Sequence, residues 1–220
     1  MNPFLTLRTA RLVLSPVGGA DFSDLRAIKA DPRVFAIMLG GVRDAAQTAA
    51  DLARDVAIWG LNGFGMWTIR ERDSRQFVGM TGLEPRDDGR GVALRFALWP
   101  EAQGRGLARE AAGAALRFGH ERAGLPRIVA VARETNFASR TVLGAIGMSP
   151  HETFTQSGLT MILFVSIRPS APRGANAASP PASSGPEPRA TPRSYPAATD
   201  EWSAPDGSPT PSVPPSDPPC

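Results

Sequence analysis

Gln103 and three small residues after it, Gly104, Gly106 and Ala108, stand in the segment Trp99-Pro-Glu-Ala-Gln-Gly-Arg-Gly-Leu-Ala-Arg-Glu110. The chemistry open to such a run is anion binding. Residues without bulky side chains let a diphosphate approach the main chain, where successive N–H groups serve as donors. Arg105 and Arg109 can add positive charge at the rim, although arginines beside a helix start are often simply solvated.

A cradle of this kind works only if the flanking elements hold it. Val92-Ala-Leu-Arg-Phe-Ala-Leu98 reads as a strand that enters it, and the helical pattern from Leu107 to Phe118 leads out. The small residues therefore fall where a strand becomes a helix N-terminus, with unpaired amides and the positive end of the macrodipole. Two other readings share these residues. In the dinucleotide fingerprint G-x-G-x-x-G/A, Gly104 and Gly106 fit the first two positions and Glu134 mimics the ribose-binding acid. Against it, Arg109 stands where the third glycine allows close helix–strand packing, and Pro100 to Gln103 separate the loop from the strand. The plainest reading is a left-handed turn with no ligand.

Gln103-x-x-Gly106-x-Ala108 resembles the acetyl-CoA pyrophosphate loop of the GNAT acyltransferase superfamily, Gln/Arg-x-x-Gly-x-Gly/Ala. Flanking segments match in order. Thr9-Ala-Arg-Leu-Val-Leu-Ser-Pro16 resembles the opening strand of the branch that acetylates ribosomal-protein N-terminal alanine or serine. Phe77-Val-Gly-Met-Thr-Gly-Leu83 resembles its third strand, and Arg127-Ile-Val-Ala-Val-Ala-Arg-Glu-Thr-Asn136 its fifth. The run from Asn136 to Met148 resembles its N-x-x-S-x-x-V-L-x-x-x-G-M helix, so the resemblance covers about residues 5 to 167.

The resemblance implies an α/β (α+β) fold: a mixed, mostly antiparallel sheet of about seven strands flanked by about four helices, ordered β-α-α-β-β-β-α-β-α-β-β. It implies acetyl-CoA as acyl donor, no metal, and acetyl transfer by direct amine attack on the thioester. The acceptor is a primary amine on a protein N-terminus or a small molecule. Cofactor contacts carry over onto Gln103, Gly104, Arg105, Gly106, Leu107 and Ala108, onto the strand end at Leu98 and Trp99, and onto Asn136. Asn136 equally suits a helix N-cap, and Trp99 equally suits a core.

Glu84, which follows the third-strand motif, is the candidate base; a turn carboxylate beside Pro85 is the plainer reading. Ser139 matches the motif serine and stands in as the acid to the leaving thiolate, because the only tyrosine is Tyr195. Its plainer role is a helix residue bonded to nearby backbone. Ala93 departs from relatives that carry an acid there. Deprotonating a lysine amine of pKa about 10.4 at pH 7 costs about 4.6 kcal/mol, against about 1.4 for an α-amine near 8. Sparse basic machinery thus suits an α-amine. The two departures also leave open a protein that binds acyl-CoA without turnover, as a sensor or scaffold.

Composition bounds the rest. The chain has 220 residues and a formal charge of +3, and its basic residues are arginine except for Lys29. No basic stripe interleaved with aromatics suggests nucleic acid, and no apolar run suggests a membrane span or signal peptide. One cysteine, Cys220, excludes an internal disulfide and fits a reducing cytoplasm. Neither His120 nor His151 stands in a ligand pattern; His120 reads as a solvated helix end. Fifteen of the 22 prolines lie in residues 168–220, which predicts a domain over 1–168 and a disordered, polyproline-type tail over 169–220.

Within the domain the pattern predicts a strand over 5–15, a helix to 30 capped by Asp21, and a helix over 44–60 facing inward through Ala49, Leu52, Val56 and Trp59. Strands follow over 65–70, 76–83 and 92–99, the last two joined at the Asp88-Gly89 turn signal. A helix over 104–119, a strand over 127–132, a helix over 137–146 and strands over 151–155 and 159–167 complete the order.

Overall fold

A computed structural model describes residues 3–38 and 40–168. The tail, with Tyr195 and Cys220, lies outside the described residues.

The expected opening strand is a tight hairpin instead. Leu7–Arg8 (β1) pairs antiparallel with Leu12–Pro16 (β2), Leu7 opposite Leu14. The Thr9 hydroxyl closes the corner by accepting from the Leu12 amide at 3.0 Å. Phe22–Ala30 (α1) follows, but Asp21 does not cap it. Asp21 already sits in a helical turn with φ −90° and ψ −2°, not in the extended conformation that a side-chain cap needs. Its carboxylate accepts from the Gly18 amide and pairs with Arg70, which also takes Asp24 at 2.6 Å. A single-turn helix that the pattern does not announce, Pro32–Phe35 (α2), is started by Asp31, whose side chain accepts from the Arg33 amide, with Pro32 at the first position.

Ala45–Asn62 (α3) carries a reciprocal cap between Asp44 and Gln47 and ends at Gly63, where φ is +69°. Its inward face is rotated from the expected one. Thr48, Leu52 and Asp55 are buried, while Ala49 and Val56 face solvent. The helix buries a carboxylate where the hydrophobic pattern pointed to the valine one position later.

The remaining elements run Met66–Glu71 (β3), Phe77–Pro85 (β4), Val92–Leu98 (β5), Leu107–Glu121 (α4), Arg127–Arg133 (β6), Phe137–Ala145 (α5), Ser149–Gln156 (β7) and Leu159–Ile167 (β8). The sheet order is β1-β2-β3-β4-β5-β6-β8-β7, antiparallel throughout except for the parallel pair β5–β6. Among the described residues this makes eight strands and five α-helices, one strand and one helix more than expected.

α4 packs on β2, β4, β5 and β6 through Leu107, Ala111, Ala115 and Phe118, all buried. Trp59, Trp67 and Phe118 meet edge to face at 4.8 to 6.2 Å in this core. A second cluster joins α1, α2 and α3 to the strands through Leu25, Ile28, Phe35, Leu52 and Met80. His120 is a buried core residue, contrary to the solvated helix end expected. Its Nδ1 meets the Leu125 carbonyl at 2.8 Å and its Nε2 the Ser166 hydroxyl at 2.9 Å, tying α4 to β8.

Candidate active site

The helix expected from residue 104 starts at Leu107, and the three residues before it belong to the loop. Gly104 and Gly106 have φ of +72° and +75°, the left-handed region that residues with a Cβ enter only with strain. No side chain caps Gly106, and the first backbone bond at this end runs from the Glu110 amide to the Gly106 carbonyl at 3.1 Å. The amides of Leu107, Ala108 and Arg109 therefore lack protein acceptors.

Several bonds hold the loop in this shape. Gln103 Nε2 donates to the Leu98 carbonyl at 3.1 Å, and Arg11 Nη1 to the Arg105 carbonyl at 2.8 Å. Arg105 itself pairs with Glu71 at 2.7 Å. Glu110 accepts from the Thr9 hydroxyl, the Arg11 amide and the Arg11 guanidinium. Burial works against ionisation there, but these bonds outweigh it and hold the Glu110 carboxyl below its ordinary range.

The sheet opens beside this loop. β5 and β6 are registered only at Val92↔Ile128 and Ala93↔Val129; beyond them the strands part. One edge of β5 stays paired with β4 up to Gly79↔Leu98, so its other edge from Leu94 onward faces the gap. Two cavities occupy the opening. The first, of about 400 Å³, is lined by Leu98, by Gln103, Gly104 and Gly106 of the loop, by Leu107 and Ala108 and by the start of α5. The second, of about 350 Å³, lies over Ala93, Arg95, Ala130 and Ala132 and is rimmed by the β4–β5 hairpin. Ile37, Met38, Phe96, Asn136 and Ser139 line both, so the cavities meet there.

A model of the Acetyltransferase (GNAT) domain matches residues 11–149, which include the loop, the parted strands and the junction. The chain belongs to the GNAT acetyltransferase family. It is thus an acyltransferase, of a family that uses acetyl-CoA. The FsC-acetyl coenzyme A-N(2)-transacetylase of Aspergillus fumigatus is 30% identical over 165 residues, 68% of this chain and 67% of that protein. An acetyltransferase structure from Agrobacterium tumefaciens is 29% identical with a TM-score of 0.65, covering 73% of this chain and 93% of the other. The ribosomal-protein-S5-alanine acetyltransferase of Vibrio fischeri, 15% identical with a TM-score of 0.59, shares the fold.

 That alignment covers 74% of this chain and 96% of the other.

Within this acetyltransferase the expected site residues divide. Leu98, Gln103, Gly104, Gly106, Leu107, Ala108, Asn136 and Ser139 border the first cavity, and Glu84, Asn136 and Ser139 border the second. Trp99 and Arg105 are elsewhere: their side chains line a separate groove with Gln76 and Glu101. Arg105 is drawn there by Glu71, and Trp99 packs against both apolar clusters. Asn136 caps α5, its side chain accepting from the Ser139 amide at 3.1 Å. The Ser139 hydroxyl makes no hydrogen bond to another described residue, so the expected bond to nearby backbone is not made.

Charge surrounds the second cavity in layers. Glu84 is held by Arg95, and Arg54 Nε lies 3.5 Å from its other oxygen. Behind them Lys29, almost fully buried, pairs with Asp51 at 2.9 Å. Burial disfavours charge on Asp51, but Lys29, Arg54 and Arg43 overcome it and hold its carboxyl below the ordinary range. Asp55 is buried without such bonds. Its desolvation outweighs the attraction of Lys29, and the nearby Glu84 adds to it, so its carboxyl is pushed up to about 6. The only signal in the sequence was the four-residue spacing of Asp51 and Asp55, which puts both on one face of α3; that Lys29 of α1 faces them appears only in the fold.

Proposed function

We propose that this acetyltransferase moves the acetyl group of acetyl-CoA to a primary amine, on a protein N-terminus or a small molecule, at the junction of the two cavities. The observation that carries the reading is that junction: Phe96, Asn136 and Ser139 border both the cavity under the unpaired amides of α4 and the cavity open to an acceptor. The residues present fit the donor. The amides from Leu107 to Arg109 and the left-handed glycines suit a diphosphate. The free edge of β5 suits an amide-containing arm laid alongside it as an added strand.

Bound there, acetyl-CoA supplies an activated thioester, whose acyl carbon bonds to the amine nitrogen as the C–S bond breaks and the sulfur leaves with the electron pair. The chain's part is positioning and proton handling. Glu84 is the carboxylate that takes the amine proton. Its Oε2 is occupied by Arg95, while its Oε1 has only the 3.5 Å approach of Arg54 and can meet the incoming nitrogen. Ser139 donates to the departing sulfur, with its amide fixed by Asn136 and its hydroxyl uncommitted. Because thiols have pKa values of about 8.5, leaving as thiolate at pH 7 costs only about 2 kcal/mol, so a weak acid suffices. An α-amine acceptor, easier to deprotonate than lysine by about 3 kcal/mol, suits one modest base. The single cysteine of the chain accords with a reducing, cytoplasmic setting.

Thiol release from acetyl-CoA against peptides with varied N-termini, lysine side chains and small amines tests the reading. Turnover of α-amines well above lysine side chains is the expected result. Release with no acceptor, or with lysine side chains alone, would overturn it.

A further inference from the structure

The acceptor cavity is lined by five guanidinium groups, and four of them are already ion-paired. Arg86 pairs with Asp88, Arg95 and Arg54 with Glu84, and Arg43 with Asp51. Arg133 is the exception. Among the described residues it has no carboxylate within reach, and the only hydrogen bond of its side chain runs from Nη2 to the Ala36 carbonyl at 3.2 Å. Its Nε is buried with no acceptor at all. Such a donor is costly to leave unpaired, and a carboxylate is the group that satisfies guanidinium nitrogens in pairs.

A second orphan lies on the same side of the sheet. Arg133 is registered with Met161, which faces Phe154; two residues along β7 comes Gln156. Period-two alternation puts Arg133 and Gln156 on one face. Gln156 borders the same cavity, and its Oε1 is also buried without a partner. The wall thus offers an unmet cationic donor and an unmet acceptor to whatever enters. The acidic groups that would instead attract a polycation are paired: Asp51 with Lys29 and Arg43, Asp88 with Arg86, and Glu84 with Arg95 through Oε2, which leaves only its Oε1 for the reacting amine. Asp87 also borders the cavity but is exposed to solvent at the hairpin tip.

We propose that the acceptor carries a carboxylate close to its reacting amine and that Arg133 binds it, with Gln156 accepting an N–H of the same molecule. This rests on the acetyl-transfer reading above and narrows its substrate to amines of acidic character. The carboxylate can be the terminal group of a small peptide-like acceptor or an acidic side chain next to a protein N-terminus.

Thiol-release kinetics at saturating acetyl-CoA on two matched pairs test this. Ala-Ala against Ala-Ala-amide probes the terminal carboxylate, and Ala-Glu-amide against Ala-Gln-amide probes the side chain. The charged member of at least one pair should have kcat/KM about tenfold or more above its neutral twin, mainly through KM. Arg133→Gln should erase that advantage, and Arg133→Lys should keep part of it. Equal kcat/KM within both pairs, or an advantage that survives Arg133→Gln, would overturn the proposal. Should Arg133→Gln not fold, the wild-type pairs still decide. If neutral acceptors turn over and charged ones gain nothing, only this inference fails. If no amine releases thiol, the acetyl-transfer reading fails with it.

Discussion

Ser139 and Asn136 work as a unit. The Asn136 side chain spends its oxygen on the Ser139 amide, which sets the first turn of α5 and leaves the Ser139 hydroxyl at the junction. Ser139→Ala should lower kcat about tenfold while CoA affinity by calorimetry stays unchanged, since no fold-holding bond is lost. An unaltered kcat would remove Ser139 from proton transfer. Asp55 makes a prediction of opposite kind. Its carboxyl holds a proton up to about pH 6 in the folded chain, against an ordinary value of 3.8. Between those values the folded state binds a proton that the unfolded state has lost, so stability falls as pH rises through the window and stays low above it. The loss is roughly 3 kcal/mol at most. Asp55→Asn should match the parent below pH 4 and exceed it above pH 6 in urea denaturation; parallel curves would refute the assignment. At this scale the motif residues were legible because loop chemistry is local: Gly104, Gly106 and Asn136 declare their geometry by type. Arg133, Gln156 and Asp55 were not, because an unmet or buried polar atom exists only once distant strands and helices surround it.

The elements carry the same division. The long helices and the strands around the loop follow from periodicity, and the Asp44–Gln47 cap fixes the start of α3. The register of its face does not follow, since Asp55 is turned inward beside Lys29 of α1 and Arg95 of β5, which no window of α3 contains. β1 and α2 are too short for a period to show. At the loop, Gly106→Val places a β-branched residue at φ +75°, with open space around the Cβ apart from Arg11 Nη2 at 3.6 Å. The effect is therefore backbone strain of about 1–2 kcal/mol, not a clash. CoA affinity should drop at least tenfold while the far-ultraviolet spectrum is kept; undiminished affinity would mean that the α4 amides do not hold the diphosphate.

At the scale of the whole molecule, all eight strands of the sheet and the five α-helices of the described residues lie before Arg168. A chain ending after Pro172 should melt within about 2 °C of the full-length chain and release thiol at the same rate. A marked loss of either would give the last residues a part in the domain. No helix among the described residues is long and apolar enough to cross a membrane.

The narrow join at Val92 and Ala93 makes the sheet a hinged pair of plates, five strands on one side and three on the other. A cofactor arm lying along the free edge of β5 would act as a stitch across that seam. The amides of Phe96 and Leu98, which point to that free edge while those of Arg95 and Ala97 bond to β4, should therefore exchange with deuterium quickly in the free protein and slowly with CoA present, so that the donor, by docking first, completes the wall against which the amine is then pressed.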